Sequence, residues 1–158
     1  MDFTFDTTSK AQSKFISEDY FPAIVEFSSE ELNNHFIEFN YKDTDMLELS
    51  AHSKTHALKR LTLTLCNHHE FVNENMIFPS CGEGSLFIEG PDSTECSKFM
   101  LKVYNNGAKL ELSDKPAVKH IKSGILIFSF SNDNELVTVY IINLTEKQLS
   151  HIKRELTI

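Results

Sequence analysis

Residues 125–143 read ILIFSFSNDNELVTVYIIN and contain the strongest structural signal in the chain. Two apolar runs, Ile125–Ser131 and Glu135–Asn143, flank Asn132-Asp133-Asn134, a turn sequence that tolerates left-handed backbone conformations. Both runs carry apolar side chains on both faces, which is typical of strands in the middle of a sheet that is covered on both sides. The stretch therefore predicts the central hairpin of the fold.

The segment after this hairpin predicts a helix over Thr145–Leu156. Thr145 and Gln148 form a capping-box pattern, and charged residues lie at the ends that the helix dipole favours. Leu149, Ile152 and Leu156 form a narrow apolar stripe, so we expect the helix to pack on the sheet. Six side chains of the hairpin and the helix should be almost inaccessible to solvent: Phe128, Phe130, Val139, Ile141, Leu149 and Ile152.

The rest of the chain predicts further antiparallel strands. Lys98–Tyr104 and Lys109–Leu112 flank Asn105-Asn106-Gly107, whose residues suit the positive φ values of a tight hairpin. His35–Tyr41 and Met46–Ala51 predict another hairpin. Shorter strands are expected at Ala23–Phe27 and around Phe87-Ile88.

Two segments determine how many helices accompany these strands. Residues 54–70 fit a helix through Ala57, Leu58 and Leu61, whereas Leu61–Leu65 also alternates like a strand, and the polar flanks favour the helix. Ser28 with Glu31 forms a second capping-box pattern. We therefore expect an α+β fold in a single domain, residues 1–158, with one mainly antiparallel sheet of about six to eight strands and two or three helices, the last packed on the sheet.

Composition supports a buried core and a cytoplasmic location. The 158 residues are 41% apolar and include thirteen phenylalanines, and a domain of this size buries roughly 70% of its unfolded surface. The three cysteines cannot all pair, which indicates free thiols. The chain starts with acidic residues instead of a basic signal region, and no apolar stretch approaches the ~20 residues of a membrane span.

The net negative charge lies in the first third of the chain. Residues 1–50 carry eleven carboxylates and three lysines, which gives −8, whereas residues 51–158 carry twelve acidic and twelve basic side chains. Such a field repels nucleic acid and anionic membranes and accelerates association with basic proteins. Nucleic-acid binding also needs clustered Lys and Arg, which this chain lacks.

Aromatic residues are interleaved with these carboxylates, and this combination predicts an interface for a basic protein. The carboxylates would supply the long-range field, and an aromatic side chain would supply the apolar anchor. The residues that we expect to bind the partner are Glu18, Asp19, Tyr20, Phe21, Glu30, Glu31, Tyr41, Asp43 and Asp45.

Signals for catalysis or metal binding are weak. His52 and His56 are one helical turn apart, but the zincin motif needs a glutamate where Ser53 stands. Cys81 lies in a Gly-containing stretch that could expose a thiolate, with His35, His69 or His120 as a possible base. A turn explains these glycines more simply. We expect no catalytic residue, no metal and no cofactor.

The absence of a catalytic motif favours a non-enzymatic acidic protein that neutralises a basic protein partner. Small, acidic, motif-free chains of this profile include bacterial immunity proteins that inhibit nuclease-type toxins, and this is the function that we expect. One alternative is a secretion chaperone or adaptor for a basic effector, a class whose members are usually small acidic dimers. The second alternative is a small thiol- or metal-dependent enzyme that uses Cys81 or His52 and His56.

Overall fold

Strands dominate the computed structural model, which describes residues 2–28 and 34–157. The model is 52% strand and 7% helix, so the predicted α+β fold with two or three helices on one sheet is wrong. The described residues form one helix, α1 (Glu146–Leu156), and the following strands: β1 (Asp2–Asp6), β2 (Lys14–Glu18), β3 (Phe21–Glu26), β4 (Asn34–Tyr41), β5 (Asp45–His52), β6 (Leu58–Leu65), β7 (His69–Phe71), β8 (Gly82–Glu83), β9 (Ser85–Glu89), β10 (Ser93–Glu95), β11 (Met100–Val103), β12 (Ala108–Glu111), β13 (Lys119–Ser123), β14 (Leu126–Phe130) and β15 (Leu136–Ile141).

The strands of the described residues form three sheets instead of the predicted one. The six-stranded sheet has the order β10-β4-β5-β6-β3-β2, and the seven-stranded sheet has the order β7-β11-β12-β15-β14-β13-β8. A two-stranded ribbon joins β1 to β9. This ribbon links the two large sheets, because β9 follows β8 directly in the chain and its Phe87 forms a bridge with Ala57 beside β6.

The predicted central hairpin is confirmed. β14 and β15 pair in the interior of the seven-stranded sheet, and Asn134 in their turn has a positive φ of 62°. Ile127 and Ile142, on the side of the hairpin away from the main core, form a second buried cluster with Met76 of the β7–β8 segment. Burial on both faces is therefore achieved by the core on one side and a loop on the other.

One contiguous apolar core draws side chains from all three sheets. It joins Val25 and Leu49 of the six-stranded sheet to Phe128 and Val139 of the seven-stranded sheet. Phe130 is fully buried and contacts two rings of β1, with centroids 4.8 Å from Phe3 and 5.4 Å from Phe5. All six side chains expected to be inaccessible are buried: Phe128, Phe130, Val139, Ile141, Leu149 and Ile152.

The C-terminal helix begins and ends as its sequence predicts. Thr145 and Gln148 make both hydrogen bonds of the capping box. The main strand neighbours of α1 are β3 and β2, which belong to the six-stranded sheet and not to the sheet of the central hairpin. His151 lies 3.0 Å, through Nε2, from the carbonyl oxygen of Phe21 and ties the helix to β3. No helix of the described residues is long and apolar enough to cross a membrane.

Residues 54–70 contain strands, so the predicted helix there is wrong. β6 places Leu61 and Leu63 in the core, and the alternate residues Thr62 and Thr64 lie on the outer side of the sheet. Pairing with β5 and β3 on either side satisfies the backbone of β6, and this tertiary context outweighs the helical spacing of the leucines. The second predicted capping box, Ser28 with Glu31, extends into residues 29–33, which lie outside the described part of the chain.

The β11–β12 hairpin is confirmed, but its turn is not of the expected kind. None of Asn105, Asn106 and Gly107 has a positive φ. Gly107 is needed for a different reason, because a Cβ atom there would fall on the carbonyl oxygen of Ile141. The neighbouring strand approaches the turn too closely for any side chain.

We expect Phe130→Ala to reduce the free energy of unfolding by about 3–5 kcal/mol, because it leaves a cavity where the ribbon meets β14. Phe36→Ala is the matched control, since Phe36 is half exposed and its removal should change stability by no more than about 0.5 kcal/mol. Urea unfolding of both variants measures the difference. Equal effects would show that Phe130 does not join the ribbon to the core.

Candidate functional site

The outer side of the six-stranded sheet carries a group of carboxylates. The registers of β2 to β6 place Ile16, Ile24, Thr62, Glu48 and Glu38 in one row across the sheet. The next row contains Lys14, Glu26, Arg60, Ser50 and Phe36. Glu18 belongs to the same side, because it contacts Arg60. We call this surface, with its carboxylates Glu18, Glu26, Glu38 and Glu48, the acidic face.

Arg60 lies among these carboxylates and forms long ion pairs with two of them. Its Nη2 atom is 3.6 Å from Glu18 Oε2, and its Nε atom is 3.9 Å from Glu26 Oε2. Both distances exceed a good hydrogen bond, and the buried Nε has no hydrogen-bond partner in the described structure. An open depression of about 360 Å³ surrounds the guanidinium group and is also lined by Phe21, Glu48 and the two outer threonines of β6.

Two carboxylates face each other directly on the β4–β5 side of this surface. Glu38 of β4 is the cross-strand partner of Glu48 of β5. Burial, and then the charge of Glu38, raise the pKa of Glu48 above its ordinary range, although Arg60 opposes the shift. Like charges at opposed positions destabilise a sheet. The acidic face therefore retains an arrangement that stability alone would disfavour.

Six of the nine residues predicted to bind a partner lie at one end of this sheet. β2, β4 and β6 run in one direction and β3 and β5 in the other, so the β2–β3 and β4–β5 turns lie at the same end. Three strand intervals separate the turns, which is about 14 Å. Glu18, Asp19, Tyr20 and Phe21 form one group there, and Tyr41 and Asp43 form the other.

Tyr20 is the most exposed of the predicted anchors. Its side chain is 84% exposed at the β2–β3 turn, and its φ of 75° is unusual for an aromatic residue. Its neighbour Asp19 lies 3.6 Å from Arg154 of α1. Phe21 and Tyr41 are half-buried, and Tyr41 packs against the His68 ring. Of the predicted anchors, only Tyr20 is available for an aromatic contact over most of its surface.

Asp45 does not contribute to this surface, contrary to the sequence prediction. It is 1% exposed, and its carboxylate accepts hydrogen bonds from the Thr44 hydroxyl, the Asn67 and His68 backbone amides and His68 Nδ1. These bonds tie the β4–β5 turn to the segment after β6. Glu30 and Glu31 lie outside the described residues.

Several residues of the acidic face were not predicted. Glu26, Glu38 and Glu48 each alternate with core residues along a strand, so the period-two pattern would have found them once the strands were assigned. At the β4 edge, β10 and the residue before it add two exposed acids, Glu95 and Asp92, from a much later part of the chain. No local pattern connects those two to β4.

The histidine pair does not form a metal site. His52 Nδ1 accepts hydrogen bonds from the backbone amides of Lys54 and Thr55, whereas His56 Nε2 lies 3.0 Å from Glu89. The two rings therefore have different partners: the His52 ring binds backbone amides of its own turn, and the His56 ring contacts a side chain of β9. Among the described residues, no three His, Cys, Asp or Glu side chains are grouped so that they could hold a metal ion.

The three cysteines are poor nucleophiles. Burial, with a contribution from Asp45, raises the pKa of Cys66 to about 12, and burial with Glu95 and Glu135 raises the pKa of Cys96 to about 12. Burial also raises the pKa of Cys81, although Lys122 opposes it. A thiolate is the reactive form, so at neutral pH these side chains are protonated.

A cavity of about 400 Å³ opens where both large sheets meet the ribbon. Its apolar lining includes Phe3 and Phe39, and at its rim Lys115 lies 2.8 Å from both Asp133 and Glu135. Cys96 lines the cavity, and no histidine of the described chain does. The described lining of the cavity therefore lacks a Cys–His pair.

Comparisons with known proteins found that the chain matches no family model and no curated protein.

We expect Glu48→Gln to raise the free energy of unfolding at neutral pH. Because the pKa of Glu48 is raised on folding, its protonated form stabilises the fold at low pH, and this stability is lost as the pH rises through that pKa. The glutamine variant avoids that loss, so its advantage should grow with pH across the carboxyl range. Thermal unfolding of both proteins from acidic to neutral pH measures the trend. An advantage that is equal at all pH values would contradict this account.

We expect all three thiols to react slowly with iodoacetamide. A thiol with a pKa of about 12 holds roughly one thiolate in ten thousand at about pH 8. Mass spectrometry of the alkylated sites gives the three rates, with glutathione as the reference and Cys81→Ser as the site control. A Cys81 that reacts faster than glutathione would support the thiol-enzyme alternative.

Proposed function

We propose that this protein is a non-enzymatic acidic binding protein that neutralises a basic protein partner in the cytoplasm. Its specific role under this proposal is that of an immunity protein for a nuclease-type toxin. Nucleases that bind phosphates carry basic sites, and an acidic surface competes for those sites.

The opposed pair Glu38 and Glu48 is the observation that carries the proposal. In the free protein the two charges repel each other, and burial further disfavours the charge on Glu48. A lysine or arginine from a partner would relieve both effects. Local conflicts of this kind are expected at functional surfaces, where stability is exchanged for binding.

The size of the acidic face suits a protein partner. Its five strands, β2 to β6, span about 19 Å, and an eight-residue strand spans about 27 Å. The resulting area of roughly 500 Å² is the larger part of the ~800 Å² per partner of a standard protein interface. The half-exposed Phe36 on this face and Tyr20 at its end provide apolar contacts beside the charges.

The gene next to the one encoding this chain supplies the direct test. Under the proposal it encodes a protein with a basic toxic domain, and co-expression of the two chains restores growth. The proposal also requires a salt-sensitive complex between the purified proteins. Growth arrest that this chain does not relieve would refute the immunity role.

We expect Glu38→Lys to slow association with that basic domain at least severalfold at low salt and to reduce the salt dependence of the on-rate. The same change replaces a repelling pair with an attractive one, so it should also stabilise the fold. Slower association cannot then be attributed to unfolding. Asp2→Lys is the charge-matched control on the exposed end of β1. Stopped-flow kinetics across ionic strength compare the two, and equal effects would contradict a role for the acidic face.

Truncation of Tyr20, the exposed anchor, should change the rate constant of dissociation and leave the rate constant of association nearly unchanged. Tyr20→Ala is expected to raise the off-rate by roughly tenfold while changing the on-rate little, because an aromatic contact forms only after docking. Dissociation is followed by displacement with unlabelled protein. An unchanged off-rate would exclude Tyr20 from the interface.

A further inference from the structure

The strand β2 forms an open edge of the six-stranded sheet. It pairs with β3 on one side, and no hydrogen bond joins its other side to any described part of the chain. Outward backbone groups on such an edge are a template for another strand. The helix α1 reaches this strand from the core side, where His151 packs against the Phe15 ring, so it does not cover the edge.

The sequence of β2 is complementary to itself in the antiparallel direction. Lys14 and Glu18 lie at equal distances on either side of Ile16. In an antiparallel pair of two β2 strands centred on Ile16, each Lys14 is opposite Glu18 of the other copy. Cross-strand partners have Cβ atoms roughly 5 Å apart, within reach of an ion pair. The other three pairs of this register are Ile16 with Ile16 and, twice, Phe15 with Ser17, so no like charges meet.

The exposed charges and the regular backbone of β2 are compatible with this pairing, in which Glu18 would contact Lys14 of the other copy in addition to Arg60 of its own chain. Lys14 is exposed and forms no ion pair with a described residue, and the Glu18 side chain is 54% exposed. The pairing of β2 with β3 shifts between two residue pairs, Ile16 with Ile24 and Glu18 with Phe21. Between these pairs the chain advances two residues along β2 but three residues along β3. The extra residue is therefore on β3, and β2 keeps its regular alternation.

We infer that two copies of this chain associate through their β2 strands into a two-fold symmetric dimer. The two-fold axis passes between the Ile16 residues of the two copies, and one Lys14–Glu18 ion pair lies on each side of the axis. Opposed residues in an antiparallel pair point to the same side of the sheet, so the acidic faces of both copies lie on one side of a continuous twelve-stranded sheet. The five-residue contact is small, and the dimer is correspondingly weak and dependent on concentration. This inference does not depend on the identity of the basic partner.

Charge exchange on β2 tests the dimer and its register. Sedimentation equilibrium of the unmodified chain, from micromolar to submillimolar concentration, should show a monomer–dimer equilibrium. Lys14→Glu and Glu18→Lys should each weaken the dimer by roughly tenfold or more, because the two-fold axis converts both pairs into repulsions at once. The double variant Lys14→Glu/Glu18→Lys should restore the dimer to near the original affinity.

Two controls keep the result specific. Lys10→Glu makes the same charge change at an exposed residue outside β2 and should leave the dimer intact. Circular dichroism confirms that each variant is folded.

A monomer at all concentrations overturns the inference, and a dimer insensitive to either single change places the interface elsewhere. A double variant that does not recover the affinity of the dimer would overturn the register in which Lys14 is opposite Glu18. A monomer whose binding to the basic partner is weakened by Lys14→Glu would show that the partner, and not a second copy, occupies this edge.

Discussion

The alternation of side chains along β3 to β6 is the constraint on which both the core and the acidic face depend. Val25, Ile37, Leu49 and Leu61 point into the shared core, and the residues between them point outward. A shift of one residue in any of these strands would place carboxylates such as Glu38 or Glu48 in the core. Because that burial is strongly unfavourable, the outward charges also enforce the register of the sheet.

The elements that were predicted correctly are specified by neighbouring residues. The central hairpin has its turn at Asn134, and α1 has its capping box at Thr145, so each carries its own start and stop signals. The division into two large sheets has no such local signal, since β10 and β7 join their sheets by parallel pairing with strands distant in sequence. Residues 54–70 show the same limit. Their leucines fit both periods, and only the pairing of β6 between β5 and β3 decides for the strand.

The candidate site was predictable to a similar extent. Counting charges found the acidic third of the chain, and the strand order brings two groups of the predicted partner-binding residues to one end of the sheet. Counting charges could not predict whether an individual carboxylate would be exposed or buried. Asp45 is as acidic in sequence as Asp43, yet four donors hold it inside a turn while Asp43 stays exposed. A carboxylate's role depends on which backbone amides face it, and distant parts of the chain set that.

The polar pairs that resemble catalytic groups serve the fold instead. Asp45 and His68 form an acid–histidine pair, but the nearby Cys66 donates to a carbonyl oxygen and its pKa is raised to about 12. His120 and Ser129 are 2.6 Å apart, yet Ser129 is fully buried between neighbouring strands. These groups have partners and are stabilised where they are. Glu38 and Glu48 are compensated only in part: Arg60 opposes the rise in the pKa of Glu48 and the Asn40 amide lies 3.5 Å from Glu38, yet the two like charges still face each other across the strands. Under the proposed function, a cation of the basic partner would complete this compensation.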